Sequence, residues 1–564
     1  MTKYKTFLFL IFILAFFLRI FKLAEFPIGF YSDEAAFSYN AYSLLKTGAD
    51  EFGVHSPLVL KSFGDYKSPL YSYYLIPFVF FLDLSEFSVR LGSAALGIIS
   101  VYLTYLIARL VSGNKKIALM SGFFMSISPF SLQFSRMVHE NNLALVLILS
   151  GILLFFHSIK RPYLWKFSSI LFALSIYAYH DAKIITPLLL FLIFLFYKNI
   201  IRKFKNYFLT GLAVFFVVVL PFLYLSPNRE IWSRAHNTSI FYDPGLFWKT
   251  NAEVGESLKL NFPQPKLFHN KYLVYSFRFL SNYLSHFDPL FLFIKGDNVQ
   301  IYQTAENGLF YPVQLPLLLI GSYYFFRNKI FHRRLFLAWI LIAPIPASLT
   351  KLTPSASRTL TLLPPLIILI SIGIVQIIRQ LGKKIPKIYS SFLFSFVFIF
   401  SIAYFQHFYY FNTPVRYAKE WHYGLKQVMT RVKEIEQNYD YIWLSKNAWG
   451  YIYPLFYLKY PPQKYQPQAK LGPPDQYGFG WIDGFDKYLF RPIPKYFDFE
   501  KPVLYVVIDG ELPENVSPLH SIFYPDGQPA FIIADSSRIK HACPDCDILL
   551  KPKNVDIYGH TKED

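Results

Sequence analysis

Long apolar blocks, returning again and again along the chain, decide what it can fold into. Predominantly hydrophobic blocks, the candidate spans, stand at roughly 6–22, 89–111, 117–133, 142–158, 165–180, 183–198, 207–225, 311–326, 335–350, 359–378 and 388–411. Runs of this length, with no short-period alternation, are the pattern of helices that cross hydrocarbon. Composition agrees: 54% of residues are hydrophobic and only 16% charged, against about 25% charged in a soluble domain. The expectation is an α-helical polytopic membrane protein with about eleven transmembrane helices. The run after Lys3 and Lys5 has a signal-peptide look, but Arg19 and Lys22 follow it with no small-residue cleavage pattern, so it is expected to stay as the first helix.

The formal net charge of +20 would suit a nucleic-acid partner, but its placement excludes that reading. With the N-terminus inside, the short cytoplasmic connections 113–116, 160–166, 198–206, 327–334 and 379–387 hold 17 Lys or Arg and no Asp or Glu. The short loops of opposite parity, 135–141, 180–183 and 350–358, hold 4. That asymmetry fixes one orientation in a cell membrane. Three large pieces then face away from the cytoplasm: 23–88, 226–310 and the tail 412–564. The apolar stretch 69–82 is too short to span and is expected to lie at the interface. In the tail, 415–436 reads as an amphipathic helix, with strands at 441–445, 503–508 and 531–533. A small extracytoplasmic α/β domain follows from that pattern, separate from a transmembrane domain over 1–411. The two cysteines, Cys543 and Cys546, are close enough for a local disulfide.

The segment Tyr31-Ser32-Asp33-Glu34-Ala35-Ala36-Phe37 opens a helical stretch that stops at Gly48. Asp33 as a helix cap with Glu34 as a first-turn acid is one reading. A carboxylate pair set to work on a head group at the outer membrane face is the other. Lys67, in Asp65-Tyr66-Lys67-Ser68-Pro69, is either a snorkelling cation or a phosphate ligand. Arg136, His139 and Glu140 stand at the outer end of the third block; Arg136 and Glu140 at i,i+4 are either a surface pair or holders of substrate. Tyr179-His180-Asp181-Ala182-Lys183 is a tight turn, and His180 with Asp181 has no third ligand at metal spacing. Arg358 sits against the positive-inside bias, either as a snorkelling cation or as a guanidinium fork that holds a lipid phosphate. Tyr71 and Tyr74 are positioned to stack on prenyl chain or sugar, although interfacial aromatics are common.

An acidic pair after the first helix, followed by a lysine-x-proline-aromatic segment, resembles the GT-C glycosyltransferases. Within those it is similar to the protein O-mannosyltransferases and lipid A aminoarabinose transferases, grouped as glycosyltransferase family 39-like. Glu86-Phe-Ser-Val-Arg90-Leu-Gly-Ser-Ala enters the second helix much as in those proteins, and the likeness covers roughly residues 1–200. It implies a polyprenyl-phosphate sugar as donor with no separate cofactor and no metal. It also implies Asp33 as the catalytic acid residue with Glu34 beside it, Lys67 facing the carrier phosphate, Arg358 and Arg136 as further donor ligands, and inversion at the anomeric carbon. Ser68 between Lys67 and Pro69 departs from the family pattern, in which lysine often precedes proline directly. The acceptor stays open among protein, lipid and glycan. A flippase for lipid-linked saccharides and a polymer ligase are the rival classes.

Overall fold

The computed structural model describes residues 3–227, 232–304, 307–328, 330–382, 386–448, 450–473 and 480–547. Parts of the basic loops counted above, residues 329 and 383–385, lie outside them. The chain divides into two compact units: Met1–Phe21, Ser68–Tyr71 and Ser93–Tyr409 form the first, and Lys22–Lys67, Ser72–Gly92 and Tyr410–Asp564 the second.

The first unit is helical. Its chain order begins with α1 (Lys3–Ile20), α4 (Glu86–Ser112, entered from the second unit), α5 (Lys115–Ile127), α6 (Pro129–Arg136), α7 (Asn141–Ser158), α8 (Trp165–Ala178), α9 (Ala182–Lys203) and α10 (Lys205–Leu225). The later helices include Gln314–Arg327, Arg333–Ile342, Leu363–Leu381 and Lys387–His407. Among the described residues, six helical stretches are long and apolar enough to cross a membrane, or seven if α5 and α6 form one bent span. Of the other four expected spans, the first is α1, 18 residues long with Lys3, Lys5 and Arg19 within it, and three come out short. The blocks at 165–180, 311–326 and 335–350 fold as helices of 14, 14 and 10 residues. At 1.5 Å per residue a 14-residue helix reaches about 21 Å, against hydrocarbon about 30 Å thick. The block at 117–133 breaks at Ser128, where α5 and α6 meet at 53°; Ser128 caps α6 by accepting the Ser131 N–H at 3.4 Å, and Pro129 follows as its first residue.

Close packing in this unit comes from paired glycines. A Cβ on Gly321 would stand 1.8 Å from the Leu369 carbonyl oxygen, and one on Gly373 2.0 Å from that of Leu317. Only glycine permits two helix backbones to approach this far. Arg19 is buried at the end of α1 and donates to the Ser126 carbonyl at 3.1 Å and to Ser131 Oγ at 2.7 Å, fastening α1 to the α5–α6 break.

The second unit holds α2 (Ser32–Thr47), the hairpin β1 (Leu60–Ser62) and β2 (Asp65–Lys67), most of α3 (Leu70–Leu82), the start of α4 and the tail. The tail folds around a six-stranded sheet. Its strands are β3 (Tyr441–Ser445), β4 (Gly484–Phe485), β5 (Tyr488–Arg491), β6 (Val503–Val507), β7 (His520–Phe523) and β8 (Pro529–Asp535), in the order β4-β5-β3-β6-β8-β7. β3 runs parallel to both β5 and β6, while β8 is antiparallel to its neighbours β6 and β7. β6 is buried along its whole length, as a strand covered on both faces must be. The helix expected over 415–436 is shorter, Leu425–Ile435, because Gly424 takes a left-handed φ of 98° immediately before it. Cys543 and Cys546 form a disulfide.

Candidate functional site

In the second unit, the acidic pair separates into two roles. Tyr31, in extended conformation, is the cap of α2, and Glu34 Oε2 accepts the Tyr31 N–H at 3.1 Å. Glu34 therefore does the capping that Asp33 was a candidate for. Its carboxylate is also held by Arg90: Nε to Oε1 and Nη2 to Oε2, each at 3.1 Å, with both side chains 0% exposed. The same guanidinium donates to the carbonyls of Pro27 at 2.9 Å and Leu23 at 3.5 Å, and to that of Gly29. One arginine thus ties the chain before α2, the first turn of α2 and the first turn of α4 into a single buried knot. Two parallel N–H···O contacts are the geometry a planar guanidinium matches best.

Asp33, one residue earlier on the helix, is the accessible member. Its carboxylate is ion-paired with the Lys67 ammonium; Asp33 is 35% exposed and Lys67 3%. Lys67 is the last residue of β2 and pairs in register with Leu60 of β1, so a strand end aims the ammonium. The ammonium also lies 5.2 Å from the Phe37 ring and 5.4 Å from the Phe63 ring, which offsets part of the cost of burying the cation. An ammonium offers three donors, and Asp33 engages one.

Two further residues around Asp33 escaped sequence reading. His422 is buried, holds a left-handed φ of 55°, and packs its ring 5.0 Å from that of Tyr31. Tyr453 donates to the Phe30 carbonyl at 3.0 Å, so the hydrogen between His422 Nδ1 and Tyr453 Oη belongs to the histidine. Burial pushes the imidazole down to about 3, against the pull of the Asp33 charge, and the ring is neutral. Behind this cluster, Glu51 is fully buried and accepts from Tyr451 Oη at 2.9 Å and Asn40 Nδ2 at 3.3 Å. Burial raises its carboxyl to about 8.

The remaining expected residues fall as follows. In the second unit, Tyr74 donates to the Gly92 carbonyl at 3.0 Å. In the first, Tyr71 is fully buried and bonded to Ser93; both tyrosines use their hydroxyls to join α3 to α4. Arg136 is buried at the end of α6 and donates to the Leu18 carbonyl at 2.9 Å, the Phe21 carbonyl at 2.8 Å and Tyr409 Oη at 3.1 Å. It satisfies carbonyls at the C-terminal end of α1 that the helix itself cannot. Met137 is extended, so Arg136 and Glu140 do not share a helix face and the i,i+4 pairing does not arise. His139 is enclosed by the rings of Phe134, Tyr179 and Tyr302 and accepts the Asn141 N–H at 3.3 Å; Glu140 is the residue preceding α7. His180 accepts from the Lys183 ammonium at 3.1 Å.

Arg358 heads the long helix of the first unit and donates to Thr350 Oγ1 at 2.9 Å. With Asn141, Tyr179, Asp181 and Ser357 it lines a cavity of about 10 Å³. The segment carrying it is anchored from below: Asp297 accepts the Ala356 and Val299 N–H groups at 2.5 and 2.8 Å, and His286 Nε2 accepts the Ser355 N–H at 3.1 Å. Burial raises Asp181 to about 7, with Arg358 and Arg234 opposing the rise. Among the described residues, no group of three His, Cys, Asp or Glu side chains is placed to hold a metal ion.

Residues 67–225 match the family described as dolichyl-phosphate-mannose-protein mannosyltransferase. The solved structure of ArnT from Cupriavidus metallidurans bound to undecaprenyl phosphate aligns with 94% of this chain and 97% of its own, at 13% identity and a TM-score of 0.52. The fold is GT-C. The same protein in its apo state aligns over the same shares at 12% identity and a TM-score of 0.53. AglB from Archaeoglobus fulgidus, an oligosaccharyltransferase solved with an inhibitory peptide and a dolichol-phosphate, is 14% identical over 81% of this chain with a TM-score of 0.48; the chain spans 64% of its length. Among curated proteins none matches the chain in sequence.

Proposed function

We propose that this chain is a membrane glycosyltransferase that moves a monosaccharide from a polyprenyl-phosphate carrier to an acceptor hydroxyl outside the cytoplasm. The observation that carries the proposal is the Asp33–Lys67 pair: one partly exposed carboxylate beside one buried ammonium, on a fold shared with a protein that holds undecaprenyl phosphate. About eleven membrane passages, with the site on the outer face, complete the reading and rest on the loop charges.

The acceptor oxygen attacks the anomeric carbon, and the C1–O bond to phosphate breaks with its electron pair leaving on the phosphate. The hydroxyl proton goes to the Asp33 carboxylate, which acts as general base. Lys67 supplies positive charge where the leaving phosphate becomes more negative. A single displacement inverts the anomeric centre. Glu34 is a positioning residue: its two oxygens are engaged by Arg90 and the Tyr31 amide, and it fixes the helix that carries Asp33. Within the first unit, Arg358 is the candidate cation for a lipid phosphate, while Arg136 is committed to carbonyls of the chain.

The test is transfer from synthetic polyprenyl-phosphate hexoses and pentoses by the full chain in nanodiscs, with the product anomer read by NMR. Transfer with inversion is expected. Absence of transfer from every such donor, with a diphosphate-linked oligosaccharide consumed instead, would replace this reading with the ligase.

A further inference from the structure

The second unit contains a cavity of about 300 Å³ that the donor chemistry does not use. Its wall includes Glu25, Phe26, Glu86, His422, Lys426 and Tyr457. We infer that this cavity is the acceptor subsite and that it takes a hydroxyl-rich, saccharide-type acceptor, an inference that rests on the glycosyltransferase reading and names its missing substrate class.

Position is the first argument. Gly29 and Phe30 belong to the cavity wall and lead directly into the Tyr31–Asp33 turn. His422, also in the wall, packs on Tyr31 and lies within the electrostatic reach of Asp33. Asp33 is not itself part of the wall, and His422 and the Gly29–Phe30 segment connect the cavity to the turn that carries it.

Construction is the second. The His422 ring is locked through Tyr453 to the Phe30 carbonyl, and its φ of 55° is a conformation that non-glycine residues keep only when their surroundings impose it. The ring is neutral, so it gives the wall a polar face without placing a second cation beside Asp33. Glu86 is 8% exposed and has both oxygens engaged, by Lys426 Nζ at 2.6 Å and Tyr457 Oη at 2.7 Å. The base of the cavity is thus pre-ordered by a bonded carboxylate, ammonium and phenol.

Chemistry selects the occupant. Charges of both signs, the Gln427 amide and the rings of Phe26 and Tyr457 stand together in this wall. Donors and acceptors beside aromatic faces suit a sugar, which offers hydroxyls at its edge and C–H groups on its face. A hydrocarbon chain would take the Lys426, Glu25 and Gln427 head groups out of water without offering them a hydrogen-bonding partner. The volume is at the lower limit of small-ligand pockets, about 300–1,000 Å³, and suits one or two sugar rings better than a length of peptide.

The experiment uses the full chain in nanodiscs and saturation-transfer NMR with methyl glycosides, a disaccharide and a Ser/Thr-containing peptide as probes. Ala24, which lines the cavity and is exposed, is replaced by tryptophan (Ala24→Trp) to fill the space; Gln427→Ala is the milder second variant. Undecaprenyl-phosphate binding is read in parallel as a control for folding. Saccharide signals in the wild type that fall at least tenfold in Ala24→Trp and severalfold in Gln427→Ala, with carrier binding within twofold, support the subsite. No saccharide signal from wild type, signals unchanged in both variants, or a response to the peptide alone overturns it. Failure of the wild type to bind the carrier counts against the glycosyltransferase reading instead, and the saccharide readout stands apart from it.

Discussion

Glu34 and Asp33 are neighbours in sequence, and the structure predicts that their substitutions fail in different ways. Glu34 and Arg90 are 0% exposed and share two N–H···O contacts of 3.1 Å. Glu34→Gln leaves the guanidinium buried without a countercharge, which costs about 3–5 kcal/mol, roughly 10²- to 10⁴-fold in the folding equilibrium. Arg90→Met strands the carboxylate and also orphans the carbonyls of Pro27 and Gly29, adding about 1–3 kcal/mol. The double variant has no unpaired buried charge, so its cost is expected to fall short of the sum of the singles by about 2–4 kcal/mol. Unfolding in detergent, followed by intrinsic tryptophan fluorescence, measures all four corners of the cycle. The Glu34→Gln protein that does fold is expected to keep most of its turnover. A Glu34→Gln variant within about 0.5 kcal/mol of wild type, or strictly additive singles, would refute the reasoning.

Three other outcomes follow from the same geometry. Glu51 has its ordinary value of 4.5 raised to about 8, so its contribution to stability is complete below 4.5 and is lost as pH rises through 8; the melting temperature is expected to fall across that window, with a slope of up to about 1.4 kcal/mol per pH unit. Glu51→Gln should flatten this arm, and an unchanged profile would show that Glu51 is not its source. Gly321→Leu drives a side chain into the Leu369 carbonyl and should cost at least about 1–3 kcal/mol, seen as lost monodisperse protein in size-exclusion chromatography, whereas a wild-type profile would contradict the close helix crossing. Arg358→Gln should weaken carrier-phosphate binding at least tenfold by thermophoresis, and an unaltered Kd would remove Arg358 from donor binding.

Much of this molecule is legible in its sequence, and the exceptions share a physical cause. The long apolar helices, the stop of α2 at Gly48, and the tail strands at 441–445 and 503–507 follow from local pattern. Three expected spans fold as short helices, because apolar composition alone does not set where a helix ends. The hairpin that aims Lys67 had a signal, a turn through Phe63 and Gly64 with φ of 53° and 74°, flanked by two short strands. The Glu34–Arg90 knot joins residues 56 apart, and His422 meets Tyr453 and Tyr31 only through the fold. Such contacts leave no periodicity. Arg136 is a further case: it donates to carbonyls at the end of α1, a long-range partnership that no local pattern announces.

Asp33→Asn, assayed beside Lys67→Met for both turnover and carrier binding, tests the central claim most directly. Asp33→Asn is expected to lower kcat by about 10²–10⁴-fold with the carrier Kd held within a few fold, whereas Lys67→Met should weaken carrier binding at least tenfold. Undiminished turnover in folded Asp33→Asn protein would contradict the assignment of the base, and with it the chemistry proposed for this fold.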